Sequence, residues 1–286
     1  MAIPENRADL RSLIRSRLSA WADDVGALSA SSITSSVANL TLAAALDISE
    51  KALLQIDDEV IRVRTYAAGG IDVASVIRGD RGSVAAAHDA SSIVTAYPFW
   101  GWTDFDINRE IDSAMDWLWP DVWVLKTLTN TLLADNTDFG LPAGVIYPQG
   151  QIVKRLELLD ANGIYQEVLG WKHIGDRLIL SRKTSQDYSA RMWVMGSHQR
   201  LTSDSSQMAD SAPREAVILR VCASLLEQLL ANRVRYVEYS AALNDRASTP
   251  DELQRQAYYF KNQAVVERDR ISRPPLSGLA STRRTG

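Results

Sequence analysis

The chain has 286 residues, 46% hydrophobic and 23% charged, with a formal net charge of −4. That length supports one large domain or two to three modest ones, and the acidic balance argues against a classical nucleic-acid binder while leaving room for a local basic patch. The single cysteine, Cys222, can close no internal disulfide, which fits a reducing compartment. No apolar run reaches the roughly 20 residues of a membrane span.

The opening stretch "MAIPENRADLRSLIRSRL" is charged throughout and lacks the apolar centre of a signal peptide. The expectation is a soluble chain made in a cytoplasm, with no membrane partner. The same stretch reads as a helix: Asn6 can cap it, and Leu10, Leu13, Ile14, Leu18 and Trp21 fall on one face. Arg7, Arg11 and Arg15 form a second stripe at four-residue spacing. A solvated face is the plain reading of that stripe, and a contact with phosphate or an acidic partner is its alternative.

After a Ser/Ala/Thr-rich connector near residues 29–36, "KALLQIDDEVIRVRTYAAGGIDVASVIRGDRG" is rich in strand formers. Leu54, Ile56, Val60, Ile61 and Val63 alternate around "DDE", a candidate hairpin turn. "AAGG" reads as a second turn, Ile71 to Ile77 as a third strand, and Ser92 to Ala96 as a last one. Then "DFDINREIDSAMDWLWP" switches to helical spacing through Ile107, Ile111, Ala114, Met115 and Leu118, with Asp104 or Asp106 as cap and Pro120 as terminator. Trp100, Trp102, Trp117, Trp119 and Trp123 crowd this region, too many for one small core, so some are expected at a domain or subunit junction.

Strand patterning returns from about Thr127 to Leu201, punctuated by "DANG" and "IGD" turns. The last third is helical. Pro213 sits at a helix start, followed by an apolar stripe of Val217, Val221, Leu225, Leu226, Leu229 and Leu230. "STPDEL" then offers Thr249 as cap, Pro250 at the first position and Glu252 closing a capping box. Leu253, Ala257, Phe260 and Ala264 point the next helix inward, and Pro274–Pro275 stop it. The expected fold class is α+β: a small helical bundle (N-terminal, central and two long C-terminal helices) with two antiparallel β modules. The expected divisions are an N-terminal helix (1–28), a small β module (29–99), a central helix and Trp-rich junction (100–126), an antiparallel β domain (127–203), a C-terminal helical pair (204–273) and a tail (274–286).

Motifs for chemistry are sparse. "GDRGS" lacks the Lys and hydroxyl that complete a phosphate loop, and Arg78–Asp80 is "RGD" by three letters only. His88, His173 and His198 have no ligand partner at helical spacing, and no cysteine pair exists for zinc. His88 reads as a hydrogen-bonding structural residue, and Cys222, between Val221 and Ala223, as an inert buried thiol. "IDDEV" lacks the spacing of a calcium loop. No catalytic residue, cofactor site or metal site is assigned, and the chain is expected not to be an enzyme.

One stretch carries a resemblance. "ALLQIDDEVIRVRTY…IDVASVIRGDRGSVAAAHDASSIV" resembles a segment that recurs in virion proteins of tailed bacteriophages: an acidic "DDE" or "DGE" strand, a strand ending in "RG", a short turn, then a Ser or Thr, alanines, a His and a closing Val. The matching residues are Asp58, Glu59, Arg78, Gly79, Arg81, Gly82, Ser83, Ala86, His88 and Val94, about a fifth of the chain. Ser91 and Ser92 stand where a Gly is more usual. With the helices around it, the whole is similar to head-to-tail connectors, the adaptor or neck proteins of long-tailed phages. That resemblance implies a virion structural protein assembled in the host cytoplasm. It also implies a homo-oligomeric ring, usually of twelve subunits, docked on a portal protein. A stopper or tail-terminator protein would follow it, and double-stranded DNA would pass through without sequence-specific binding. The candidate contact residues are Arg7, Arg11, Arg15, Trp100, Trp102, Trp119, Tyr258, Tyr259, Arg283 and Arg284. A tail-tip or baseplate component is the rival within the same particle. From another class, a carbohydrate-binding module could use Trp171 and Trp193 as a sugar platform.

Overall fold

The computed structural model describes residues 6–18, 25–28, 31–46, 48–67, 71–141, 153–175, 177–209, 212–244 and 247–271. Trp21, most of "AAGG" and the tail with Arg283 and Arg284 lie outside them. The architecture is α+β, with helices and antiparallel sheets in separate bodies.

The helices are α1 (Arg7–Arg17), α2 (Asp104–Trp117), α3 (Arg214–Ala231), α4 (Arg233–Leu243) and α5 (Pro250–Ile271). α3 buries residues all around its circumference, from Ala216 and Ile218 to Leu226 and Leu229, as a helix must when it forms the centre of a bundle. α5 buries only one stripe, Leu253, Ala257, Phe260 and Ala264, at the spacing the sequence predicts. Ile107, Ile111, Ala114, Met115 and Leu118 of the α2 segment join the same core, as do Leu10 and Ile14 of α1.

Local chemistry sets the helix ends. Asn6 Oδ1 accepts from the Asp9 amide at 2.8 Å, and the Asp9 carboxylate accepts from the Asn6 amide at 3.3 Å. Thr249 and Glu252 make the same reciprocal box at α5. At α2 the cap is Thr103, in place of the expected Asp104 or Asp106, and Asp106 closes the box at its third position.

Two divisions differ from expectation. The N-terminal helix ends at Arg17, and Val25–Leu28 is a strand, β1, that pairs with the module's last strand. The C-terminal pair is three helices. Asn232 adopts extended backbone (φ −100°, ψ 92°) and caps the next turn through the Arg235 amide, so a side chain that competes for backbone donors breaks the apolar run.

The β module continues with β2 (Leu40–Thr41), β3 (Leu53–Ile56), β4 (Glu59–Thr65), β5 (Asp72–Val73), β6 (Ser75–Ile77) and β7 (Ile93–Tyr97). Five strands form one antiparallel sheet in the order β1-β7-β3-β4-β6, and β2 pairs β5 beside it. Asp57 and Asp58 turn the β3–β4 hairpin, with Asp57 at φ 52°. After β6 the chain makes a short 3-10 turn over Asp80–Gly82, entered through Gly79 at φ 63°. A Cβ on Gly79 would meet the Ser83 carbonyl oxygen at 3.0 Å, so both the backbone angle and the space call for glycine there.

The second β body comprises β8 (Val124–Leu132), β9 (Asp138–Gly140), β10 (Val153–Leu159), β11 (Tyr165–Glu167), β12 (Trp171–Ile174), β13 (Arg177–Leu180) and β14 (Tyr188–Gly196). Its sheets run β11-β10-β14-β8 and β12-β13-β9. Inward residues of both, including Leu156, Ala190, Met192 and Val194 from one and Phe139, Leu178 and Leu180 from the other, form a shared core.

Candidate functional site

The residues that carry the phage-module resemblance converge on one buried carboxylate. Glu59 opens β4 with its side chain fully buried. Oε1 accepts from Arg78 Nε at 2.7 Å and the Gly79 amide at 3.0 Å; Oε2 accepts from Arg78 Nη2 at 2.7 Å and the Ala86 amide at 2.9 Å. His88 Nε2 lies 2.9 Å from that same Oε2, and its Nδ1 lies 2.8 Å from Asp57 Oδ2. Burial works to raise the Glu59 carboxyl, but the Arg78 guanidinium, the Ala86 amide, His88 and the Gly79 amide outweigh it and hold it at about 2.

Arg78 also reaches outward from the sheet. Nη1 donates to the Thr34 carbonyl at 2.7 Å and the Val37 carbonyl at 3.2 Å, and Nη2 donates to the Ala86 carbonyl at 2.6 Å. Ile33 and His88 exchange both backbone hydrogen bonds at 2.9 Å. The "DDE", "RG" and "AAAH" segments, distant in sequence, are thus tied to each other and to the loop before β2. Ser83 completes the cradle, accepting from the Val60 amide and donating to the Asp80 carbonyl, each at 2.9 Å.

The neighbouring Arg81 points the other way, into the bundle. It pairs with Asp106 of the α2 capping box and donates to the carbonyls of Gly101 at 2.8 Å and Phe99 at 2.6 Å. Arg235 of α4 approaches the same loop from the far side, donating to the Trp100 and Gly101 carbonyls at 3.0 and 2.9 Å. Burial and the Arg81 charge lower the Arg235 guanidinium to about 10. Two arginines from different bodies therefore grip one loop, residues 98–103, and fasten the β module to the helices. "GDRGS" is a structural turn whose arginines face in opposite directions.

The groups that most resemble catalytic apparatus are thereby held in fixed structural bonds, as the sequence predicts for His88. Cys222 is buried in α3, and burial pushes its thiol up to about 12, which removes thiolate character near neutral pH. Among the described residues no group of three or more His, Cys, Asp or Glu is arranged to hold a metal ion. No described helix is long and apolar enough to cross a membrane.

The candidate contact residues separate into three groups. Arg11 is buried and donates to both Asp204 oxygens (2.6 and 2.8 Å) and to Asn108 (3.1 Å), with Asp104 at 3.2 Å. Arg15 pairs with Asp104 at 2.7 Å and lies over the Tyr97 ring. The arginine stripe is an internal clamp between α1, α2 and the loop before α3, which corrects its reading as a solvated face; Arg7 is half-buried at its end. Trp100 and Trp102 are core residues, 7% and 4% exposed, packed among the helices, and Trp119 is half-buried. Tyr258 and Tyr259 remain on the surface of α5, 67% and 59% exposed.

Sequence reasoning missed the company these tyrosines keep. Val265 and Val266 are also exposed, and with Tyr258 and Tyr259 they line the side of α5 opposite its buried stripe. The side of α5 away from the core thus carries exposed apolar residues interleaved with the polar Arg255, Asn262 and Asp269. Trp171 packs against the core of the second β body, and Trp193 lies beside Arg191, which also stacks on Tyr165 at 4.0 Å. Neither offers the flat exposed ring of a sugar platform.

No family model matches the chain, and no curated protein does. One solved structure, described as the neck of an empty GTA particle computed with C6 symmetry, aligns with 56% of this chain and 80% of its own. Identity is 15% and the TM-score 0.21. At that level the likeness to a particle neck is coarse, and the functional reading rests on the chain's own residues.

Proposed function

We propose that the protein is a non-catalytic virion structural subunit, a head-to-tail adaptor of the phage neck. In this reading it forms a ring, twelve-fold in the family it resembles, between the portal and the next neck or tail component. One observation carries the reading: Glu59, Arg78, Ser83 and His88 are engaged in bonds that hold the β module together, while Arg81 fastens that module to the helical bundle. Side chains spent on such bonds suit a rigid building block. The outer face of α5 supplies apolar surface of the kind that a monomer has reason to cover, and a net acidic chain suits a channel through which DNA slides.

Ring closure needs two different complementary surfaces on each copy. The test is native mass spectrometry and negative-stain electron microscopy of the purified chain, alone and mixed with a phage portal protein. Rings that stack on the portal support the adaptor role. Rings that ignore the portal and bind tail-tip components would favour the baseplate alternative.

A further inference from the structure

Among the described residues no strand pairs with the outer side of either edge strand of the four-stranded sheet, and the two edges differ. β8 is nine residues long and pairs with β14 in an unbroken register from Val124↔Gly196 to Leu132↔Tyr188. It carries one charge, Lys126, and no proline or bulge, and most of its residues are exposed. A long unprotected edge is what solitary soluble sheets avoid.

The backbone direction along each edge can be read from single hydrogen bonds. The Thr131 amide is taken by the Asn130 side chain at 2.9 Å, so it faces away from β14. The alternation of an antiparallel ladder then turns the amides and carbonyls of Leu125, Thr127 and Thr129 outward as well. On the opposite edge, the Val168 amide donates to the Leu156 carbonyl at 2.9 Å. The same alternation sends those of Tyr165, Glu167 and Leu169 outward. Three outward residues on one edge meet three on the other.

The order β11-β10-β14-β8 is antiparallel at every step. With four strands, β8 of one copy laid beside β11 of the next is antiparallel too, with no reversal of the sheet. The register that matches the outward groups pairs Leu125 with Leu169, Thr127 with Glu167 and Thr129 with Tyr165. It brings together Leu125 and Leu169, which are 46% and 86% exposed in the single chain. It also sets a β-branched residue against an aromatic one, a favourable cross-strand pair. A two-fold β8–β8 pairing would instead leave Leu169 uncovered.

We infer that β8 and β11 are the two halves of a head-to-tail contact between copies of this chain, in which backbone pairing continues the sheet from one subunit into the next. The inference rests on the ring reading and adds a location to it. Three paired residues bury far less than the roughly 800 Å² per partner of a standard interface, so the contact works in a closed assembly, with other surface such as the α5 face contributing.

The test is a chain carrying Thr127→Cys and Glu167→Cys, oxidised at assembly concentration. Hydrogen-bonded antiparallel pairs hold their Cα atoms about 5.5 Å apart, within disulfide reach, and the native Cys222 is buried. The expected result is a ladder of covalent multimers that neither single-cysteine chain gives. In parallel, Thr127→Pro removes an outward donor without removing a rung to β14. It should leave the melting temperature near that of the parent and lower the ring population at least tenfold. Rings by microscopy without a 127–167 cross-link overturn the edge contact and leave the ring standing. A Thr127→Cys chain that dimerises through itself overturns it in favour of two-fold pairing. A chain that stays monomeric and uncross-linked at every concentration overturns both readings.

Discussion

Replacing Glu59 by Gln removes one charge from the centre of the module while keeping the side chain's shape. Glu59 accepts two bonds from Arg78 and one each from the Gly79 and Ala86 amides, and also faces His88. A glutamine amide presents donors to some of these donors and leaves the Arg78 charge buried without its partner. The size of the effect follows in two ways. Its carboxyl is held at about 2 against an ordinary 4.5, and at 1.36 kcal/mol per unit that difference is worth about 3 kcal/mol. Breaking a buried ion pair by removing one member costs about 3–5 kcal/mol, which agrees. Because the folded pKa is depressed, this stabilisation is fully present above pH 4.5 and is lost as pH falls from 4.5 to about 2. Hydrogen exchange on β3–β4 peptides reads the module directly, and no tryptophan lies between residues 29 and 99 to report on it by fluorescence. Glu59→Gln should speed exchange there about a hundredfold at neutral pH and flatten the acid dependence between pH 4.5 and 2. A change below about 1 kcal/mol, with the acid profile intact, would refute the view that this carboxylate organises the module.

Three further outcomes follow from the same geometry. Arg81→Met takes the nearest ion-pair partner from the buried Asp106 and frees the Phe99 carbonyl, while the Gly101 carbonyl keeps its bond from Arg235. It should cost about 3 kcal/mol and split the calorimetric melt so that the module unfolds before the bundle; a single transition of unchanged midpoint counts against the grip. Tyr258→Asp with Val266→Asp alters exposed residues, so stability should move by no more than about 0.5 kcal/mol per site while ring formation in native mass spectrometry is lost. His198 is buried, and burial followed by the Lys126 charge lowers its pKa from 6.5. The folded state therefore stays neutral while the unfolded chain takes up a proton, and urea titrations should show stability falling as pH drops below 6.5, with His198→Leu flattening that slope.

The helices were legible because their signals are local. Asn6, Thr249 and Glu252 cap as their spacing predicts, and the inward stripe of α5 is read directly from period. The hairpin at Asp57–Asp58 was legible for the same reason, whereas the partners that give His88 its structural role lie 31 and 29 residues away. Long-range partners were not. Nothing near Arg11 announces Asp204, 193 residues away, and nothing near Arg235 announces the Trp100 carbonyl. Both turn residues that look like surface into core. Val25–Leu28 is too short a run to show a strand period, and its place is set by β7 far downstream. The exposed Tyr258, Tyr259, Val265 and Val266 of α5 are present in the letters, but they are interleaved with Arg255, Asn262 and Asp269 and form no clean period.

The most direct test of the account is the mass and shape of the purified chain at rising concentration, with and without the portal. The account predicts closed rings of one stoichiometry that stack coaxially on the portal ring. A chain that remains a monomer by native mass spectrometry in both conditions contradicts it.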